Sequence, residues 1–559
     1  MMWYCQHIHV DMTVELEAPP AWKKQPRTIS RFREVLPQVL AMSAANLVVV
    51  NLTVALFVST LVIAEVYDPN ANSTDYESNS TVEGDLRMDA TQASWFGSLP
   101  FFCQPVGSIA SGIIVQILGR KRSLALINIP YFLGCILVGT APSVTVLFVA
   151  NVLMGTTVGF TEAPINSYFG EICQPELRSI LAGSAAIFYQ VGMFVLFVLG
   201  GLTDWRTTAL ILSAMPLITI LVLWRVPESP IWLIAQGRIK DAEAALCWLR
   251  GWVEPSAVQD ELEALIQYYE NIVALSNQEN GEVKKRPSDA SPELAGLLPS
   301  NGLQMSADEK KMSEQTSDRP KSSRSTGSKV LEMGKLILQP ESLRPLILTF
   351  LAFTFYGFGG MPSIRPFLVM VLDEFCLPIE TKWATVVVAA TGFLGSVALI
   401  SLVSKLGKRM VVLTSTAACT ACCLLLGLYH FLSILPATRT GDQSYLVATW
   451  LPLLLFAIFS FANIIQGQVP WLLVAEAFPF RTRGVVGGMA AASFYIMSFL
   501  AAKTFLSMDN ALQLYGSFWF FGAINGVCFV YLYFQLPETE GKSLEEIERL
   551  FAGKKRRSK

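Results

Sequence analysis

Two matching stretches of the chain decide its fold, YFGEICQPELR at 168–178 and VAEAFPFRTR at 474–483. Each closes a long apolar run with a glutamate and places an arginine seven residues later, so Glu171 and Arg178 correspond to Glu476 and Arg483 at an offset of 305 residues. Two more motifs recur in the same order, at offsets of 288 and 310 residues: Gly119-Arg120-Lys121 as Gly407-Lys408-Arg409, and Pro227-Glu228 as Pro537-Glu538. The repetition indicates that one half of the protein duplicates the other.

The composition is that of a membrane protein. Hydrophobic residues make up 52% of the 559 residues and charged residues 15%, whereas about 25% of a typical soluble domain is charged. The ten cysteines are scattered, most of them in apolar runs. Cys419, Cys422 and Cys423 lie in such a run without neighbouring histidines, which favours packing over metal binding. We predict no metal and no cofactor.

Twelve apolar runs are long enough to cross about 30 Å of hydrocarbon. The predicted spans are 36–66, 92–117, 124–142, 143–170, 179–201 and 207–226 in the first half, and 343–374, 382–404, 410–433, 446–477, 484–507 and 511–536 in the second. Helices satisfy their own backbone hydrogen bonds inside a bilayer. The predicted fold is therefore an all-α membrane protein with two six-helix halves, and many transporters consist of two such halves that rock about a central site.

Charge predicts the orientation. The short loops at 120–122 and 405–409 are basic, as are both tails, which places them on the cytosolic side by the positive-inside rule. The acidic loop 67–90 carries glycosylation sequons at Asn72 and Asn79 and belongs on the opposite side. The first 34 residues lack the apolar core of a cleavable signal. We expect cytosolic tails at 1–35 and 537–559, and helical halves at 36–227 and 343–536.

A hydrophilic linker at 228–338 joins the halves. Its first part predicts short amphipathic helices, at 239–249 with Ala242, Ala245, Leu246 and Leu249 on one face, and at 258–269. The stretch 277–328 is rich in Ser, Lys, Glu and Pro and predicts disorder, either as a solvated linker or as a regulated segment.

Five motifs in order resemble the sugar porter family of the major facilitator superfamily, most closely its animal facilitated trehalose and hexose transporters. The motifs are GRKR at 119–122, YFGE at 168–171 ending at Arg178, PESPIWL at 227–233, VPW at 469–471 leading to Glu476 and Arg483, and PETEGKSLEEI at 537–547. The resemblance covers residues 36 to 550 and implies the major facilitator fold.

The resemblance implies that the repeated charges form an inner gate. Its predicted members are Arg120, Lys121, Glu171, Arg178, Glu228, Lys408, Arg409, Glu476, Arg483 and Glu538. An ion-pair network at the helix ends can bias two conformations that differ by only a few kcal/mol. Simple positive-inside topology is the alternative, but it does not account for acids beside bases. Gln116 and Ser404 replace the family's loop acids, which predicts a weakened gate.

The substrate positions depart further from the family. Its usual amide positions carry Ala186, Tyr356, Gly357, Pro362, Gly392 and Phe494 here. Amides suit sugars because they donate and accept hydrogen bonds together, as hydroxyls do. The remaining candidates for substrate binding are Gln190, Tyr356, Asn463, Gln466, Gln468, Trp471 and Phe494, with Trp471 as an aromatic platform.

Two charges lie inside predicted spans. Glu162 either couples transport to protons or makes a structural hydrogen bond. Arg365 either meets an anionic substrate, or snorkels to the interface or pairs with Asp373 or Glu374.

The predicted function is a facilitative carrier of a sugar, hexose or trehalose, or of a similar small organic solute, in the plasma membrane. The alternatives are a transport-deficient sugar sensor and a proton-coupled symporter. No enzyme motif and no nucleic-acid partner are predicted, and the sequence identifies no protein partner.

Overall fold

A computed structural model describes residues 30–68, 86–280, 337–440, 448–476, 478, 483–538 and 551. Its membrane helices are Arg31–Val66 (span 1), Ala90–Leu118 (span 2), Arg120–Gly139 (span 3), Val144–Phe160 with Glu162–Ile172 (span 4), Pro175–Leu202 (span 5), Trp205–Leu212 with Ala214–Arg225 (span 6), Pro340–Gly357 with Met361–Ile364, Arg365–Phe367 and Leu368–Glu374 (span 7), Thr381–Leu406 (span 8), Lys408–Tyr429 with His430–Ile434 and Leu435–Thr440 (span 9), Trp450–Glu476 (span 10), and Arg483–Gln535 (spans 11 and 12). The predicted sites Asn72 and Asn79 lie outside the described residues, as does most of 277–328.

The last helix contains two spans. Its apolar part covers 50 residues, about 75 Å at 1.5 Å per residue and far more than one bilayer. Gln513 interrupts it with a left-handed backbone, φ 60°. The rings of Phe505 and Phe521 on either side of this break lie 6.4 Å apart, so the chain turns back on itself. Ten candidate spans in the described part, with the bent span 7 and this second arm, confirm the twelve predicted spans.

The two halves meet along two seams. Span 2 packs against span 11, and span 5 packs against span 8. Spans 3, 6, 9 and 12 turn large apolar side chains outward, among them Leu133, Leu221, Leu425 and Val530. Such an apolar surface fits a lipid environment. The seams therefore leave spans 1, 4, 7 and 10 nearest the centre of the bundle.

Spans 2 and 4 approach so closely that their contact requires glycine. A Cβ atom on Gly159 would lie 1.9 Å from the carbonyl oxygen of Gln104, and one on Gly107 would lie 1.8 Å from that of Thr156. Small residues allow membrane helices to gain van der Waals contact where burial from water contributes little. This backbone contact fixes span 4, and with it Glu162 and Glu171, relative to span 2.

Span 7 is broken near the middle of its length. Its two main pieces, Ser342–Gly357 and Met361–Glu374, are bent by 48°, and Gly360 at φ 110° makes the break. The carbonyl groups released by the break are satisfied by side chains. Ser363 donates to Gly357 O (3.0 Å), and Asn525 of span 12 donates to Gly359 O (2.8 Å). Irregular backbone at this depth is stable only where the protein satisfies it.

The linker helices pack on the end of the first half that carries the basic residues 120–122, which we call the inner end. Helix Ile239–Leu249 has the predicted bounds and buries the predicted face of Ala242, Ala245, Leu246 and Leu249. The second helix runs from Gln259 to Asn280, beyond the predicted end. Arg33 at the start of span 1 donates to Gly251 O (3.0 Å), and Arg250 forms a salt bridge with Glu261 (2.6 Å). This part of the linker therefore moves with the first half.

Candidate functional site

The predicted inner network is assembled within the first half. Arg120 donates to the Glu171 carboxylate from Nε (3.0 Å) and from Nη2 (2.7 Å), and Ser229 donates to the same carboxylate. The Arg120 and Glu171 side chains are only 7% and 14% exposed. The network thus joins the inner ends of spans 3 and 4 to Ser229 at the start of the linker.

Glu228 binds the backbone of span 3. Its carboxylate accepts hydrogen bonds from the backbone N–H groups of Arg120 (3.0 Å) and Lys121 (2.8 Å). The first N–H groups of a helix have no partner within the helix and carry partial positive charge, so a carboxylate stabilises them. Gly119 makes room for this contact, since a Cβ atom there would lie 2.7 Å from Glu228 Oε2.

The second half repeats the arrangement. Glu538 accepts from the N–H groups of Lys408 (3.2 Å) and Arg409 (3.1 Å) at the start of span 9. Gly407 again makes room, with a Cβ position 2.6 Å from Glu538 Oε2. Arg409 donates to Tyr533 O (2.7 Å), much as Lys121 donates to Trp224 O (3.2 Å). The repeated Pro-Glu motif therefore caps one helix in each half.

Sequence reasoning assigned these two acids to the gate but missed that they cap helices. A glycine directly before the basic motif, with a Pro-Glu pair after the next four spans, was the available signal. The side chains of Arg178, Glu476 and Arg483 lie outside the described part of the chain. Gln116, which stands in place of a loop acid, accepts a hydrogen bond from Trp232 Nε1 through its backbone oxygen (3.1 Å).

The described polar contacts between the halves lie toward the outer side, opposite the basic loops. Lys382 of span 8 forms a salt bridge with Glu65 of span 1 (2.7 Å). Ser94 of span 2 donates to Lys503 O of span 11 (2.7 Å), and Thr60 donates to Arg365 O (2.9 Å). Burial, and then the nearby Asp509 carboxylate of the second half, raise the pKa of the Tyr67 hydroxyl. The outer ends of the halves are thus held together.

Reversing one charge of the Glu65–Lys382 pair is expected to open the outer side more often. Because these side chains are 33% and 42% exposed, the effect should be small, about 1 kcal/mol or less. We expect Lys382→Glu to raise the labelling of an Ala186→Cys reporter by an impermeant thiol reagent less than about fivefold, in a Cys376→Ser background. The double reversal with Glu65→Lys should restore the original labelling rate. An equal labelling rate in all three proteins would show that the Glu65–Lys382 salt bridge does not hold the outer side closed.

Three of the predicted binding residues form one aromatic cluster. Phe494 packs against Trp471 at 5.3 Å and stacks on Tyr356 at 6.2 Å between ring centroids. Phe353 contacts both Trp471 (5.0 Å) and Phe494 (5.3 Å). Phe494 occupies a position where the family resemblance leads us to expect an amide, so an apolar ring surface replaces a hydrogen-bonding group there. Aromatic faces pack well against the apolar faces of rings.

The four amide candidates differ in their surroundings. Gln190 and Asn463 are buried, and both polar atoms of each amide lack a hydrogen-bond partner within the described structure. Gln466 donates to Asn525 Oδ1 (3.1 Å), which ties it to the break in span 7. Gln468 is half-buried. Buried amides normally have partners, so Gln190 and Asn463 are the amides best placed for a ligand.

Gln190 also occupies the space that Gly392 leaves empty. A Cβ atom on Gly392 would lie 2.4 Å from Gln190 Nε2. The amide expected on span 8 is thus supplied from span 5, across the seam between the halves. The sequence predicts that Gly392 lacks the family's amide and that Gln190 is a binding candidate. Nothing in the sequence shows that the two positions meet.

The two intramembrane charges have different partners. Glu162 begins the second piece of span 4 and accepts a hydrogen bond from Ser108 of span 2 (2.8 Å), one helical turn beyond the Gly159 contact. Arg365 is buried at 9% exposure, with its guanidinium 5.5 Å from the ring centroid of Phe57 in span 1. Neither Asp373 nor Glu374 forms a salt bridge with it within the described structure.

The two six-helix halves, joined along their seams around a polar and aromatic centre, form the major facilitator fold. The chain belongs to the family described as "Sugar (and other) transporter", whose model matches residues 48–296 and 284–551. Its fold is also similar to that of the xylose transporter XylE from Escherichia coli. The inward open form of XylE matches at a TM-score of 0.61 and 16% identity, over 92% of this chain and 99% of that one.

Relatives in insects are similar over most of this chain. It is 27% identical over 465 residues to the facilitated trehalose transporter Tret1 of Aedes aegypti, covering 83% of this chain and 50% of that protein. It is 28% identical to trehalose transporter 1 of Drosophila melanogaster, covering 83% and 47%. The chain thus spans about half the length of these relatives, although it covers 78% of Tret1 from Culex quinquefasciatus.

Proposed function

We propose that this protein is a carrier that moves a sugar, such as a hexose or trehalose, or a similar small organic solute across a membrane by alternating access. The observation that carries the proposal is the unpartnered amide of Gln190, which reaches across the seam to Gly392 of the other half. A ligand bound there contacts both halves and so can favour one of their relative positions. The similarity to trehalose transporters supports a sugar as the cargo.

The inner network is the proposed gate. Glu171 and Glu228 each have partners within the first half while the outer ends of the halves are joined. We infer that Arg178, Glu476 and Arg483 extend this network between the halves when the inner side closes. The attraction within a buried ion pair is largely offset by the desolvation of both charges, so the network as a whole sets the balance.

A plasma-membrane location with both termini in the cytosol is part of the proposal. The basic loops beside Arg120 and Lys408 and the sequons at Asn72 and Asn79 favour this orientation. Removing the sequons by Asn72→Gln and Asn79→Gln should eliminate any glycosidase-sensitive shift in the mobility of the expressed protein. A shift that persists in this double variant would place glycosylation elsewhere.

The purified chain in liposomes should take up radiolabelled glucose or trehalose down its gradient, without an added energy source. The control is the same preparation carrying Trp471→Ala, which removes the largest ring of the aromatic cluster and should lower uptake about tenfold or more. If the wild-type chain takes up none of the sugars although a sugar raises its melting temperature, it is a sensor and not a carrier.

Glu162 should have a structural role. Glu162→Gln keeps a side chain that can bond Ser108, so we expect uptake by wild type and variant to respond alike to an imposed proton gradient. Glu162→Leu leaves the Ser108 hydroxyl without this partner and should cost about 1–3 kcal/mol of stability. A proton-driven uptake that disappears in Glu162→Gln would instead establish a proton-coupled symporter.

A further inference from the structure

Arg365 is a buried cation at the interface between the halves. It begins the short 3-10 turn Arg365–Phe367, in the outer piece of the broken span 7. Its backbone oxygen is bound by Thr60 of span 1, and the next residue, Pro366, would touch a Cβ atom on Gly97 of span 2 at 2.8 Å. The turn is therefore seated on the first half, and Arg365 itself is buried there at 9% exposure.

The groups around the guanidinium are aromatic. It lies 5.5 Å from the centre of the Phe57 ring, which is packed beside Tyr189. Phe57 and Tyr189 also contact each other edge to face, at 6.1 Å between centroids. No carboxylate forms a salt bridge with Arg365 within the described part of the chain. A cation–π contact contributes less than the desolvation of a buried charge costs.

A second cation without a described acid lies nearby. Lys503 of span 11 places its ammonium 4.3 Å from the centre of the Trp95 ring and binds the hydroxyl of Ser94, one helical turn from Gly97. Lys503 thus adds a second positive charge, at the seam between spans 2 and 11. Positive charges without counter-ions in a low-dielectric interface favour the entry of an anion.

The site continues inward from Arg365 to the aromatic cluster. Tyr189 lies near Tyr356, whose ring stacks on Phe494. The positions where the family resemblance predicts amides, Ala186 and Pro362, lie one helical turn before Tyr189 and Arg365. The chain thus lacks the neutral hydrogen-bonding groups of the family at Ala186 and Pro362. One helical turn later along each span it carries the phenol of Tyr189 and the cation of Arg365.

We propose that Arg365 and the Tyr189 hydroxyl form an oxyanion subsite, and that the cargo is a sugar-sized molecule carrying a carboxylate or phosphate group. The oxyanion is held at Arg365, and the ring of the cargo lies toward Tyr356, Phe494 and Trp471. Arginine suits this role because its planar fork of N–H groups matches both oxyanions. The inference rests on the proposed function, since it names the cargo of the same central site.

The test compares three ligands that share the same sugar ring: glucose, glucuronate and glucose 6-phosphate. It measures their uptake into proteoliposomes and their thermal stabilisation of the purified full chain. Wild type should prefer one of the two anions to glucose by about tenfold or more. Arg365→Gln should remove that preference, and Arg365→Lys should retain part of it. Arg238→Gln in the linker, an exposed arginine paired with Asp241, is the control and should leave it unchanged.

Tyr189→Phe keeps the ring against Phe57 and removes only the hydroxyl, so it provides the test if Arg365→Gln does not fold. It should weaken binding of the anion about threefold to tenfold and leave glucose unaffected. Four results would each overturn the subsite. They are a preference for glucose, equal responses to all three ligands, no response to any ligand, and an anion preference that survives Arg365→Gln. If glucose is taken up and the anions are not, the subsite is wrong and the carrier stands. If an anion stabilises the protein without uptake, the subsite stands and the carrier fails.

Discussion

Replacing Gly159 by alanine is expected to destabilise the whole first half. The added Cβ atom would lie 1.9 Å from the carbonyl oxygen and 2.7 Å from the carbonyl carbon of Gln104, and both are backbone atoms that cannot rotate away. Spans 2 and 4 would have to separate, which also disturbs the Glu162–Ser108 hydrogen bond. Overpacking of this kind costs about 1–3 kcal/mol, occasionally more. The measurement is the melting temperature of the purified protein, together with the yield of monodisperse protein.

The matched control is Gly183→Ala in span 5 of the same half, where a Cβ atom would meet nothing within 4 Å. There alanine should be neutral or stabilise the protein by up to about 1 kcal/mol, because it has the higher helix propensity. Gly107→Ala should resemble Gly159→Ala, since its Cβ atom would lie 1.8 Å from Thr156 O. A melting temperature of Gly159→Ala equal to that of Gly183→Ala would mean that spans 2 and 4 are not in backbone contact.

Replacing Glu228 by alanine is expected to loosen the inner end of span 3 and lower the transport rate. The variant leaves the N–H groups of Arg120 and Lys121 without their carboxylate partner. Loss of a helix cap costs about 0.5–2 kcal/mol. Glu228→Gln keeps an acceptor oxygen and loses only the charge, which is worth about 0.3–1 kcal/mol at a helix N-terminus. Hydrogen exchange at the amides of span 3 reports the loosening directly.

The equivalent change in the second half, Glu538→Ala, should loosen span 9 and leave the exchange of span 3 unchanged. Glu263→Ala, an exposed linker glutamate, is the control for removing an acidic side chain and should alter neither helix. If Glu228→Ala and Glu228→Gln have equal effects, the charge of this residue rather than its hydrogen bonds is what matters. If exchange in span 3 does not change at all, Glu228 is not its cap.

The cap gives the repeated charges a role that a gate made only of ion pairs does not. An acid that binds backbone N–H groups holds the loop before a span to the end of another span, so each half keeps its shape at the inner side. Arg120 is then held in position to meet Glu171, at 2.7 Å. A rigid half can rock as a unit, and this rigidity is what alternating access between two halves requires.

Local patterns were the most predictable part of the fold. Helix Ile239–Leu249 has the predicted ends and buries the predicted residues, because its period of 3.6 residues selects one face whatever that face meets. The twelve spans follow from the length and hydropathy of the runs. Gln466 shows what local patterns cannot predict, namely the partner of a side chain on another span. As a polar residue in an apolar span it was a binding candidate, yet its amide is bonded to Asn525, 59 residues away in sequence.

The sequence by itself determined the duplication, the twelve spans and the family, because these depend on hydropathy, charge and order along the chain. Only the tertiary structure decided which of the unusual residues meet. It set Gln190 against Gly392, joined Phe494 to Trp471 and Tyr356, and surrounded Arg365 with Phe57 and Tyr189. The physical reason is that the partners lie on different spans, and the packing of whole helices, through contacts such as Gly159 on Gln104, fixes which side chains face each other.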